Sequence, residues 1–164
     1  MQILNHRQIR QKIKRLAFEI LENNLEEQEI ILAGINNNGM GFAKMIYKDL
    51  VELSSNSVRL ISIRLNPAAP TSSEVQVEIP LDELENKVII IVDDVANTGR
   101  TLFYAMKPIF NIVPKKVEVA VLVDRMHKSF PIKIDYMGLS LATTLKENID
   151  VKILNVAEPA VHLN

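Results

Sequence analysis

Val88-Ile-Ile-Ile-Val-Asp-Asp-Val-Ala-Asn-Thr-Gly-Arg-Thr-Leu102 runs five apolar residues straight into two adjacent carboxylates, then into a small hydroxyl-bearing turn. A continuous apolar run of that length, stopped by a turn, has the character of a strand buried on both faces. Val88 to Val92 is therefore read as a buried strand that ends at the acids. Consecutive strand side chains face opposite ways, so at least one of Asp93 and Asp94 points toward a crevice. The turn from Ala96 to Thr101 opens a helix. The first backbone N–H groups of a helix have no intrahelical partner, and with the Thr98 and Thr101 hydroxyls they make a cradle for phosphate. Sugar-hydroxyl acceptors beside a phosphate cradle describe a ribose 5-phosphate site. The structural alternative is an ordinary acid pair after a strand, with a threonine cap that needs no ligand.

Outward from this stretch the hydrophobic period switches repeatedly. Ile9, Ile13, Leu16, Ala17, Ile20 and Leu21 form a helical stripe with Asn5 as N-cap and Asn23-Asn24 at its end. Ile30 to Ile35 is a second buried strand that meets the turn Asn36-Asn-Asn-Gly39, and Phe42, Ala43, Ile46, Leu50 and Val51 return to helical spacing. Val58 to Leu65 reads as a strand, 66–73 as a loop because it holds two prolines, and 74–79 as a half-exposed strand. A helix from Gly99 to about Lys107 is ended or kinked by Pro108, and 117–123, 136–141 and 151–156 are further strands. Buried strands alternating with amphipathic helices indicate one α/β domain over residues 1–164, with a mainly parallel central sheet flanked by helices. Such sheets bind ligands beyond the carboxyl ends of their strands, which selects the loops 36–41 and 93–101.

Composition excludes several classes. With 48% hydrophobic and 24% charged residues the 164-residue chain can bury a full core. A net charge of −1 gives no global drive toward nucleic acid or an anionic membrane. Zero cysteines remove disulfides, thiolate catalysis and cysteine-ligated metal. No run approaches the ~18 apolar residues of a membrane span, and Met1 to Arg7 has no signal-peptide core, so a soluble cytoplasmic protein is expected. There is no G-x-x-x-x-G-K-[ST], and Gly39-Met-Gly41-Phe-Ala-Lys44 lacks the third small residue of a dinucleotide fingerprint.

Residues 88–102 closely resemble the phosphoribosyl-pyrophosphate (PRPP) signature of type I phosphoribosyltransferases, in which apolar residues precede two acids, two apolar residues and a Thr-Gly-x-Thr turn. Ala120-Val-Leu-Val-Asp-Arg-Met-His-Lys128, Pro131-Ile-Lys-Ile-Asp-Tyr-Met-Gly138 and Gly34-Ile35 with Gly39 resemble one branch, the PyrR-like pyrimidine-operon attenuators that are also uracil phosphoribosyltransferases. The resemblance covers nearly the whole chain and implies the type I fold with a small hood. It implies that Asp93 and Asp94 serve catalysis by holding the ribose 2- and 3-hydroxyls of PRPP. Ala96, Asn97, Thr98, Gly99, Arg100 and Thr101 would wrap the 5-phosphate, and Asn37, Asn38 and Gly39 the pyrophosphate. Arg125 and His127 would lie beside the base, with a surface loop histidine as the plain alternative for His127. Mg2+ would be held mainly through PRPP, and a homodimer or larger homo-oligomer is implied.

The implied reaction is transfer of phosphoribosyl from PRPP to a pyrimidine, uracil above others, in a site that also accepts a nucleoside monophosphate. Purine-salvage relatives carry an acid where this chain has Asn97 and a lysine where it has Asp124, which disfavours a purine phosphoribosyltransferase as the alternative. Two departures from the branch are visible. Asn36-Asn-Asn-Gly39 replaces a Lys-Thr-Arg-Gly type pyrophosphate loop, and 66–74 has no basic side chain, although Arg59 and Arg64 precede it. They keep open a regulator that senses PRPP or nucleotide without turnover. RNA is a further expected partner of this branch: Lys128, Lys133 and Lys146 match basic positions on its RNA-facing surface, while Leu139 replaces a lysine there. The clusters Arg7-Arg10-Lys12-Lys14-Arg15 and Lys115-Lys116 read as solvated faces.

Overall fold

The segment that opens the sequence argument becomes the strand β5 (Val88–Ala96), flanked on both sides by parallel neighbours. In the computed structural model, which describes residues 1–144 and 146–164, Ile90 and Val92 pack on one face of the sheet and Ile89 and Ile91 on the other. All four are fully buried. Each buried Ile or Val contributes about 1.5–3 kcal/mol relative to an exposed one, so alternation with both faces covered anchors the strand. The central sheet also contains β2 (Glu29–Ile35), β3 (Ser57–Arg64), β4 (Gln76–Val77), β6 (Lys116–Arg125) and β7 (Tyr136–Leu141). Its order is β4-β3-β2-β5-β6-β7, and only the short edge strand β4 is antiparallel.

Helices α1 (His6–Glu22) and α2 (Asn36–Leu53) cover one face; α3 (Arg100–Ala105), followed by a 3-10 turn over Lys107–Asn111, covers the other. The N-terminus of α1 is closed by a capping box, in which the Asn5 side chain accepts from the Gln8 backbone and Gln8 returns the bond. A second sheet of β1 (Gln2–Leu4), β9 (Ala160–Leu163) and β8 (Ile149–Lys152) ties the two ends of the chain together. This three-stranded unit is the small hood.

Several sequence boundaries move. β5 continues through Asp93 and Asp94 to Ala96, because Asp93 and Val95 keep their register with Val121 and Val123 of β6. The acids thus belong to the strand and not to a loop. The turn expected at 36–39 is the first turn of α2, which follows β2 without a spacer. Pro108 sits in the first turn of the 3-10 segment, where a missing N–H costs nothing. Only Gln76–Val77 of 74–79 pairs as a strand, and Val51 lies on the exposed side of α2.

Candidate active site

Two adjoining clefts of about 510 and 540 Å³ open at the carboxyl ends of β2, β5 and β3. They share Pro67, Asp93, Val95, Asn97 and Thr101. The first is walled by the turn from Ala96 to Thr101 together with Ser129 and Phe130; the second by Asn36, Asn37, Asn38, Arg64 and Asp94.

The acids come from β5, and the strand geometry gives them different surroundings. Asp93 is 8% exposed, and one of its oxygens accepts from the Asp94 backbone N–H at 2.9 Å. Asp94 is more open: it accepts from the Val95 N–H at 2.9 Å and from the Asn38 amide at 3.1 Å. Burial pushes the Asp93 carboxyl well above the usual carboxylate range, the Asp94 charge and side chain push it further, and the backbone hydrogen bond opposes them. A buried acid in that condition gains when hydroxyl donors or a cation arrive. Gly39 permits the approach of α2 to this pair, since a Cβ there would stand 2.7 Å from the Val92 carbonyl oxygen and 3.2 Å from Asp93 Oδ1. Asn37 and Asn38 are exposed at the mouth, so Asn37, Asn38 and Gly39 come together with the acids.

The turn after β5 is held from two directions. Gly99 has φ 86°, a conformation that suits glycine, and α3 starts immediately after it. The Thr98 carbonyl accepts from Ser129 and Phe130 N–H groups at 2.9 and 3.2 Å, stapling the 126–132 segment against the turn. Phe130 packs on Phe103 with ring centroids 5.3 Å apart. Ala96, Asn97, Thr98, Gly99, Arg100 and Thr101 all line the first cleft, and the Arg100 guanidinium donates to the Pro67 carbonyl at 2.5 Å. Backbone donors, the Thr98 and Thr101 hydroxyls and a left-handed turn suit an anion of phosphate size.

Arg125 reaches the site through Asn97. Its Nη1 donates to Asn97 Oδ1 at 3.3 Å, and Nε and Nη2 bond Thr143 Oγ1 and the Thr144 carbonyl at 2.7 and 2.8 Å. His127 is exposed and lines neither cleft. Lys128 departs from its sequence reading as a group on an RNA-facing surface. Its side chain is 17% exposed and its amine turns inward to the Asp124 carboxylate and the Arg125 carbonyl. Asp124 is thereby occupied by an ion pair. Lys133 stays exposed, with its amine 3.4 Å from the Asp135 carboxylate. Arg10, Arg15, Lys115 and Lys116 all have carboxylate partners. Pro67, Ser129 and Phe130 had no sequence signal as cleft residues; their positions depend on tertiary hydrogen bonds to Arg100 and Thr98.

The donor set at the mouth, two carboxylates and neighbouring amides, fits a hydrated Mg2+ that takes most of its ligands from water and substrate oxygens. Among the described residues no three His, Cys, Asp or Glu side chains gather to hold a metal alone. Among the described residues no helix is long and apolar enough to cross a membrane.

A family model described as a phosphoribosyl transferase domain matches residues 1–155. The Bifunctional protein PyrR of Clostridium acetobutylicum is 33% identical over 163 residues, spanning 95% of this chain and 92% of that protein. Its counterpart in Streptococcus thermophilus is 36% identical over 153 residues, spanning 90% and 87%. A crystal structure of the Trypanosoma cruzi hypoxanthine phosphoribosyltransferase has a TM-score of 0.76 at 19% identity, covering 98% of this chain and 94% of that one. The Bacillus anthracis hypoxanthine-guanine phosphoribosyltransferase gives 0.72 at 20% identity, with 85% and 81% covered. These structures share the fold, while the sequence relatives select the branch. The chain belongs to the phosphoribosyl transferase family, in its PyrR-like branch.

Proposed function

We propose that the paired clefts bind PRPP and a pyrimidine base and transfer the phosphoribosyl group to uracil, giving UMP and pyrophosphate. The observation that carries this is the under-compensated Asp93 beside Asp94 on β5, directly adjoining the cradle from Asn97 to Thr101. Asp93 and Asp94 accept the ribose 2- and 3-hydroxyls, and Ala96 through Thr101 surround the 5-phosphate. Asn37, Asn38 and Gly39 face the pyrophosphate. Arg125 fixes the Asn97 amide at the mouth, and Arg125 and His127 lie beside the base in this reading. Asp93 and Asp94 lie where they would assist in holding an Mg2+ bound mainly through PRPP, which would supply charge neutralisation on the pyrophosphate.

In the reaction a uracil ring nitrogen forms the new bond to the anomeric carbon and releases its proton to solvent. The bond from that carbon to the pyrophosphate oxygen breaks, and its electron pair leaves with pyrophosphate. Positioning of the two partners and stabilisation of the departing anion are the protein's contributions. Asn97 offers an amide where a carboxylate base would be needed, which supports a pyrimidine over a purine.

The test is pyrophosphate release from PRPP with uracil, guanine, hypoxanthine and xanthine in turn. Release with uracil supports the proposal; release only with a purine replaces the base. A second reading is favoured by one observation, the absence of any basic side chain in 36–38 and 66–74. In that reading the protein senses PRPP or UMP without turnover, and no release with any base alongside retained binding selects it. RNA binding belongs to the same proposal and rests on Lys133 and Lys146, since Lys128 is committed to Asp124.

A further inference from the structure

A group bearing several negative charges leaves from a mouth that already holds two aspartates, and neither 36–38 nor 66–74 carries a cation to receive it. We propose that Arg64, the last residue of β3, supplies this charge and is the pyrophosphate-binding cation of the site. The inference rests on the phosphoribosyl-transfer reading and goes beyond it by assigning the leaving-group contact to a strand residue.

Two asparagines place that side chain. Asn36 has φ 51° and clamps the residue after Arg64 at two points: its Nδ2 donates to the Leu65 carbonyl at 3.0 Å and its Oδ1 accepts from the Leu65 N–H at 3.1 Å. The end of β3 is thereby fixed to the start of α2. Asn37 Oδ1 accepts from Arg64 Nη1 at 3.2 Å, which sets the guanidinium at the cleft. Asn38 is spent on Asp94. With Nη1 engaged, the remaining guanidinium N–H donors are available to phosphate oxygens in a planar fork.

Charge accounting points to the same residue. Among the described residues Arg64 is the only basic side chain lining the cleft it shares with Asp93 and Asp94, while Arg100 in the adjoining cleft donates to the Pro67 carbonyl. Among the described residues it has no carboxylate partner, whereas Arg59 on the same strand is paired with Glu83 at 3.1 Å. An exposed arginine held by a neutral amide in a cleft it shares with two acids is poised for a ligand whose anionic end meets the guanidinium and whose hydroxyls meet the acids.

The experiment compares binding of PRPP, inorganic pyrophosphate and UMP to the full chain by calorimetry, for wild type, Arg64→Gln and Arg64→Lys, with Mg2+ present. Removing a charge-assisted contact weakens binding by about tenfold to a hundredfold. That loss is expected for PRPP and pyrophosphate in Arg64→Gln, with UMP, which has no pyrophosphate, changed by less than about twofold. Arg64→Lys is expected to recover part of the loss, because it keeps the charge and not the fork. Unchanged PRPP binding in Arg64→Gln overturns the assignment. So does an equal loss for UMP and PRPP, which would mean that Arg64 shapes the whole cleft. A wild type that binds neither PRPP nor UMP overturns the phosphoribosyl-transfer reading itself, a result visible before any variant is made.

Discussion

Asp93 and Glu118 are buried carboxylates at opposite ends of the same sheet, 8% and 9% exposed. Glu118, near the amino end of β6, is fully partnered: the Tyr136 hydroxyl donates to it at 2.8 Å, the Asn24 amide at 3.2 Å, and the Lys116 amine stands 3.4 Å away. Asp93, near the carboxyl end of β5, has a backbone N–H and a second carboxylate beside it. Equal burial thus has opposite consequences. A satisfied buried acid ties elements together, and the Asn23 amide extends the tie by donating to Tyr136 at 3.2 Å. An acid short of donors stores the capacity to bind, because its compensation comes from a ligand. Stability is concentrated at the amino end of this sheet and recognition at the carboxyl end.

Substitutions that separate stability from binding test the contrast. The largest effect is expected at Asp94→Asn, where PRPP affinity falls about a hundredfold, the scale of one or two charge-assisted hydrogen bonds, with the melting temperature near that of wild type. Calorimetric titration and thermal unfolding of one preparation measure both; normal PRPP binding, or loss of the fold, breaks the sugar-hydroxyl assignment. Next comes Tyr136→Phe, which takes the hydroxyl donor from Glu118 Oε2, leaves Asn24 and Lys116 on the other oxygen, and costs about 1–3 kcal/mol of stability in denaturant unfolding. PRPP affinity stays at the wild-type value, and a parallel loss of binding would mean that the two ends are coupled.

The smallest effect is in pH dependence. The folded Asp93 carboxyl titrates above its ordinary 3.8, so in the unliganded protein its contribution is complete below 3.8 and is lost as pH rises toward the folded value. In that window the unfolded chain has released a proton that the folded chain retains. Asp93→Asn is expected to flatten the fall in unfolding free energy with rising pH, read from denaturant curves at successive pH values above 4. An unchanged slope would place the pH dependence elsewhere.

Much of this contrast was legible in the sequence where the cause is local. The capping box of Asn5 and Gln8 spans one helical turn, and α1 starts where those residues predict. The apolar run from Val88 to Val92 is self-announcing, but the last residues of β5 are polar and belong to the strand only through their register with β6. The hood was implied by family resemblance while β1 and β9 were missed, since three- and four-residue strands pair only because the chain ends meet: Gln2 lies opposite His162. Asn36 read as a turn residue; its partner Leu65 lies far along the chain and gives no local signal. Lys128 read as a surface cation, although Asp124 four residues earlier offered the ion pair that turns it inward. The acids and the phosphate turn were the clearest parts of the site because backbone geometry alone creates them. The arginine opposite them required the packing of β3 against α2.

Amide hydrogen exchange of the full chain with and without saturating PRPP and Mg2+ tests the division of labour directly. The predicted result is slowed exchange at 37–39 and 93–101, with no change at 116–119 around Glu118. No slowing in either cleft segment, or slowing centred on the amino end of the sheet, would contradict it.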